Sequence, residues 1–220
     1  MSEIQSENNG WMKWKYAFLI LFALTSIPLL FFFDTPIWQA SRDLVEPDYL
    51  YIPELFTHYG LYPFYLIFGA VLVYALARKN RSLISLCLAY VKTQLIFSLV
   101  LIRLLKVLLG RPRPGYGFEF NFFATSFKYN AFPSGHSADA FVSGIFLFYL
   151  LKQTKYAGCR FLPLIYAFLI AISRVFVSSH YPSDVAAGMA IGILGAWFFI
   201  DRSQRHMNLP GLLKNEKQKI

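Results

Sequence analysis

Six apolar runs of near membrane-spanning length, separated by short polar gaps, leave this chain few folds to choose from. They lie at roughly 15–33, 61–77, 83–105, 137–151, 161–178 and 185–200. A helix needs about 20 apolar residues to cross a bilayer core, because each residue advances it only about 1.5 Å. In lipid every backbone N–H and C=O must find its partner inside the segment, so such runs become helices. The fourth run is short but lengthens if its helix starts at Ser134. The expected fold class is all-α: a polytopic membrane protein with six transmembrane helices. The gaps leave no room for a second unit. Residues 1–220 are expected to form one membrane-embedded domain, with its core over 60–200 and a basic cytoplasmic tail over 201–220.

Composition excludes the main alternative. With 56% hydrophobic and 15% charged residues the chain is too apolar for an ordinary soluble domain, and 19% aromatics suit lipid-facing surface and interfacial belts. A net charge of +9 would also suit nucleic acid, but its placement argues against that partner. Lys13 and Lys15, then Arg78, Lys79 and Arg81, then Lys152, Lys155 and Arg160, then Arg202 to Lys219 occupy the N-terminus, alternate loops and the tail. By the positive-inside rule all of these face the cytoplasm, with both termini inside. The loop expected outside, 34–60, carries Asp34, Asp43, Glu46, Asp48 and Glu54 against Arg42 alone. No small-residue cleavage pattern follows Phe33, so the first run reads as a span and not as a removed signal. Cys87 and Cys159 fall on or near cytoplasmic loops, where a structural disulfide is not expected.

Three polar islands interrupt the apolar pattern, and all fall on the outer face of this topology. The first is Lys106 with Arg113-Pro114. Pro112 and Pro114 keep the helix from running through Arg113, so its guanidinium is free to fold back beside the Lys106 ammonium. Together with Arg111 these are the only dense cations on the wrong side of the membrane, which points to an anionic ligand. The second is Pro133-Ser134-Gly135-His136. Ser134 reads as an N-cap, Gly135 allows close backbone approach, and the first-turn amides face an anion with His136 at the lip. The third is Ser173-Arg174 followed by His180 and Asp184. Pro182 suits the first helical position, which sets Asp184 one helical step from His180, where it can accept the Nδ1–H and leave Nε2 as a nucleophile.

Each island alone has an ordinary structural reading: a snorkelling Lys-Arg pair, a capping turn beside an interfacial His, a helix-dipole Asp. Asp139, one turn into the fourth helix, either orients His136 or favours the positive helix end. Lys92, near mid-membrane on the third helix, needs a polar partner, a wet cleft or a snorkel. Tyr116, Phe118, Phe120, Phe122 and Phe123 read as an aromatic belt or a wall for a lipid tail, and Trp11 and Trp14 as an inner-face anchor. The islands gain weight together, because they share one membrane face and have complementary roles.

Lys106 and six residues to Arg113-Pro114, then Pro133-Ser134-Gly135-His136, then Ser173-Arg174 with five residues to His180 and three more to Asp184, resemble a three-part signature. It is that of the type 2 phosphatidic acid phosphatase superfamily, which includes membrane lipid phosphatases and vanadium haloperoxidases. The segment Gly110–Gly117, with Arg111 doubled against Arg113, is similar to bacterial members acting on lipid A, phosphatidylglycerophosphate or polyprenyl diphosphate. The resemblance implies attack by His180, oriented by Asp184, to give a phosphohistidine. His136 then serves as acid to the leaving lipid oxygen and as base to water. Lys106, Arg113, Arg174, Ser134 and Gly135 hold the phosphate oxygens, with no metal and no cofactor. It further implies a lipid phosphate substrate in the bacterial cytoplasmic membrane, met at the periplasmic side. A lipid phosphotransferase using the same phosphohistidine, or a non-catalytic transporter or receptor for phosphorylated ligands, are the competing expectations. The oligomeric state is not legible in the sequence.

Overall fold

The computed structural model describes residues 17, 20, 21, 28 and 31–206, and these contain helices and no strand. The first apolar run and the Trp11/Trp14 anchor therefore lie largely or wholly outside the described residues, as does the tail beyond His206. Helix α1 covers 31–43. After a 3-10 turn come α2 (Tyr51–Tyr59), α3 (Tyr62–Ala77), α4 (Arg81–Leu109), α5 (Gly135–Lys152), α6 (Leu162–Phe176) and α7 (Pro182–His206). Four stretches are long and apolar enough to cross a membrane: Tyr51–Ala77, Arg81–Leu109, Ala157–Phe176 and Pro182–Arg202. Helix α5 matches the fourth run but is less apolar, because Ser137, Asp139 and Ser143 lie along it and ten of its residues are buried at the bundle centre. The expected outer loop 34–60 is corrected: most of it is helical, in α1 and α2.

Local sequence explains the helix ends. The Asn80 side chain accepts the Leu83 N–H at 3.1 Å to start α4. Within α4 the stretch Gln94–Leu101 widens to a π-helix. Just before it, the Thr93 hydroxyl donates to the Ala89 carbonyl at 2.8 Å, diverting an acceptor from the regular ladder. Gly110 ends α4 in the left-handed conformation, φ 52°, before either proline is reached. It also receives the returning loop: Asn121 N–H donates to Gly110 O at 2.8 Å, and a Cβ at Gly110 would sit 1.6 Å from Asn121 O. Ser134 caps α5 and Pro182 opens α7, as their sequence positions predict.

Between helices, lipid offers no hydrophobic driving force, so close packing of small residues carries association. Helix α7 meets α5 through Gly188 and Gly192, where a Cβ would lie 2.2 Å from Ser134 O and 2.4 Å from Ala138 O. Phe146, fully buried on α5, packs edge-on to Tyr90 at 5.7 Å, and Tyr90 stacks on Phe68 of α3 at 3.9 Å. Large apolar side chains such as Leu66, Val73, Leu99 and Val100 point outward and are exposed, the inverse of a soluble bundle. The antiparallel order of α4, α5, α6 and α7 brings the C-termini of α4 and α6 to the same end as the N-termini of α5 and α7.

Candidate active site

That end holds all three islands. Helix α4 delivers Lys106 in its last turn, and its ammonium donates to the Asn130 carbonyl of the following loop. Arg113 is buried in that loop. Its Nε donates to Phe127 O at 3.1 Å and its Nη1 to Ser179 O at 3.3 Å, with the guanidinium over the Phe127 ring at 3.8 Å. The fold-back expected of Arg113 is present, and it is secured by backbone carbonyls and an aromatic face. Burial lowers the pKa of Arg113 from its ordinary value, and the Asp184 carboxylate opposes that shift.

Ser134 is fully buried at the α5 start. Its Oγ accepts the Ser137 N–H at 3.4 Å and the Ser137 hydroxyl at 2.8 Å, while its own N–H donates to Asp184 O at 2.9 Å. The second and third islands are thus joined through the backbone. A Cβ at Gly135 would meet only Ile102 Cγ2, at 3.6 Å, so the protein itself leaves room at that position. His136 follows, half-buried.

Arg174 and His180 face this point from α6 and the loop after it. The carbonyl of Arg174 accepts both the Ser179 N–H at 3.0 Å and the His180 N–H at 3.1 Å, turning the chain so that His180 points inward. His180 is 2% exposed, and its Nδ1 lies 3.6 Å from Asp184 Oδ2. That separation exceeds a hydrogen bond, so the expected Nδ1–H···carboxylate bond is corrected to a near approach in this state. Asp184 Oδ2 instead accepts the Tyr181 N–H at 2.8 Å, and Oδ1 accepts Arg111 Nη1 at 2.6 Å. Among the described residues, Arg174 Nε and His180 Nδ1 are buried without a hydrogen-bond partner. Burial first, then the positive fields of Lys106, Arg174, Arg113 and His136, press the His180 pKa well below its ordinary value. At neutral pH the imidazole is uncharged, with a lone pair available.

Three residues enter that the sequence did not mark as part of the site: Asp34, Ser183 and Asn130, all buried at this end. Arg111, grouped by sequence with the cations for an anionic ligand, is corrected: its guanidinium is taken up by Asp34, Ser183 and Asp184, and Asp34, Arg111 and Ser183 bond directly to one another. The doubled arginine in Gly110–Gly117 and the acid closing the first apolar run were the available signals. Asp139 does not touch His136. It accepts from Tyr65, from Gln94 Nε2 at 2.6 Å and from Ser143 Oγ at 3.5 Å, inside the bundle. Lys92 is exposed on the outside of α4. Among the described residues no cluster of His, Cys, Asp and Glu could hold a metal ion.

A family model described as the PAP2 superfamily matches residues 82–207, which includes every island. The chain belongs to the PAP2 superfamily. Lipid A 1-phosphatase of Rhizobium etli is 30% identical over 205 residues, covering 85% of this chain and 82% of that protein. The Rhizobium johnstonii protein of the same name is 32% identical over 205 residues, covering 85% and 78%. A PAP2-type phosphatidylglycerolphosphate phosphatase from Bacillus subtilis shares the fold, with TM-score 0.65 at 23% identity over 89% of this chain and 99% of that one. Aquifex aeolicus LpxE follows with TM-score 0.54 at 24% identity, over 76% and 94%. By that kinship the chain is a PAP2 membrane phosphatase, as the resemblance implied.

Proposed function

We propose that this enzyme hydrolyses a lipid phosphate, mono- or diphosphate, through a phosphohistidine on His180. One observation carries the reading: two histidines and the cations Lys106, Arg113 and Arg174 converge on one buried point, where the Arg174 Nε–H has no protein partner. A buried, unpaired guanidinium N–H is costly, and a phosphate oxygen would satisfy it. Phosphoryl transfer needs chiefly positioning and charge neutralisation, which three cations and the Gly135 amide in the first turn of α5, held in place by the Ser134 cap, supply without a metal.

In the first step His180 Nε2 forms a bond to phosphorus as the P–O(lipid) bond breaks in line. His136, which takes up a proton when the anionic phosphate enters among the cations, gives that proton to the departing lipid oxygen. Asp184 accepts from His180 Nδ1–H and stabilises the imidazolium character of the phosphohistidine; the 3.6 Å separation closes by less than about 1 Å to do so. In the second step His136 takes a proton from water, whose oxygen attacks phosphorus as the N–P bond breaks, releasing inorganic phosphate. Vanadate, which mimics the five-coordinate state, should inhibit.

The charge pattern supports an outer-face site with both termini cytoplasmic, hence a periplasmic site on the bacterial inner membrane. Lipid A 1-phosphate, phosphatidylglycerophosphate and undecaprenyl diphosphate are the candidate substrates. The one-domain, six-span layout belongs to the same proposal. Rapid quench with lipid carrying radiolabelled phosphate tests the mechanism. Wild type should retain acid-labile label and His180→Asn none; equal labelling of both removes His180 as nucleophile. A transferase would release little phosphate until an acceptor lipid is added, and a transporter none.

A further inference from the structure

Asp34 and Arg111 stand outside the three-part signature, and Asp34 lies outside the matched region 82–207 altogether. Both nevertheless reach the catalytic end. Arg111 is 6% exposed and its guanidinium is sandwiched between Phe31, at 4.1 Å, and Tyr181, at 4.6 Å. The two rings fix its plane. In that plane Nη1 donates to Asp184 Oδ1 and to Ser183 Oγ, both at 2.6 Å, and Nη2 donates to Asp34 Oδ2 at 2.7 Å. Asp34 Oδ1 accepts the Ser183 N–H at 2.8 Å, and Oδ2 also accepts the Ser183 hydroxyl. Ser183 is the second residue of α7, so its N–H is one of the donors a helix start leaves unpaired. Asp34 therefore caps α7 from another helix, one residue before Asp184. Helix α1 is strapped there further by Trp38, whose Nε1 donates to Ser178 Oγ at 3.0 Å.

Geometry and charge both follow. Asp184 Oδ1 is held by Arg111 while Oδ2 is left facing His180 Nδ1. Arg111 alone would cancel the charge of Asp184. With Asp34 on its other edge, the buried group of two carboxylates and one guanidinium keeps one net negative charge. We propose that Asp34 and Arg111 are positioning residues, a pair that sets the angle and preserves the charge of Asp184 against His180. The pair acts when His180 becomes cationic on phosphorylation, and the inference rests on the His180 nucleophile reading above.

The test is a double-mutant cycle on the full chain in detergent, with Asp34→Asn, Arg111→Gln and the double variant, read as kcat and KM for phosphatidic acid. Each single variant should lower kcat about 10- to 100-fold with KM little changed, as losses of supporting partners commonly do. Because Asp34 acts through Arg111, the double variant should be no worse than the poorer single one. The acid limb of kcat/KM should move in opposite directions. Removing the Asp34 charge shifts it to lower pH, and removing the Arg111 charge shifts it to higher pH. Lys106, Arg113, Arg174 and His136, which also face His180, are unchanged in every variant. Asp34→Glu, which keeps the charge, should recover part of the loss and serves if Asp34→Asn does not fold. Losses that multiply in the double variant, or variants with wild-type kcat and only a lower melting temperature, would overturn the proposal. His180→Asn run alongside separates the two questions: turnover in that variant refutes the nucleophile, whereas coupling between Asp34 and Arg111 is judged from the cycle.

Discussion

The phosphate-holding side chains should be separable from their neighbours one at a time. Lys106→Ala, Arg113→Ala and Arg174→Ala should each lower kcat/KM about 10²–10³-fold, the usual loss when one preorganised donor to a charged transition state is removed. Lys92→Ala, on the outside of α4, should leave turnover at the wild-type level. Asp139→Asn should cost about 1–3 kcal/mol of stability through its bonds to Tyr65, Gln94 and Ser143, and leave the nucleophile intact. His180 also makes a pH prediction. Its folded pKa lies well below the ordinary 6.5, chiefly because the ring is buried. Below that ordinary value the unfolded chain binds the proton first, so stability is full above it and falls as pH drops toward the folded value. Melting curves in detergent should show this acid loss, and His180→Asn should remove its histidine component. At this scale the islands were legible because each is local: a cap, a proline, a four-residue step. Asp34 was not, because its bond to Ser183 joins positions 149 residues apart. Nothing in spacing or composition marks such a pair.

At the scale of elements, glycine carries the packing. Gly188→Leu or Gly192→Leu would drive a side chain into the α5 backbone, where a Cβ alone already comes within 2.4 Å. Overpacking of this kind costs about 1–3 kcal/mol or more, and a lower melting temperature in detergent would register it. Gly110→Ala should be worse for activity than for helix content, since it detaches the loop that aims Arg111 and Arg113. Run length made the helices legible, and Ser134 and Pro182 marked two starts correctly. The π-helical stretch was not visible, because a single threonine bonding backward leaves no periodicity signal. The helical content of 34–60 was missed for a different reason: its acidic charges were read for topology, and charge sign does not distinguish helix from loop.

Taken whole, the molecule offers its own test of orientation. Cys159 is exposed in the loop between α5 and α6, a helix length of about 27 Å from the catalytic end, while Cys87 is buried. In cells with an intact inner membrane, an impermeant maleimide should miss Cys159 and react with a cysteine placed at Ser126. The reverse pattern would put the site on the cytoplasmic side. The central claim, lipid phosphate hydrolysis through His180, is tested most directly by phosphate release in detergent micelles. Wild type and His180→Ala would be compared on phosphatidic acid, phosphatidylglycerophosphate, undecaprenyl diphosphate and lipid A, each with a chelator present. The account predicts turnover of at least one lipid by wild type and none by the variant. Equal release by both proteins, or no release from any of these lipids by either, would contradict it.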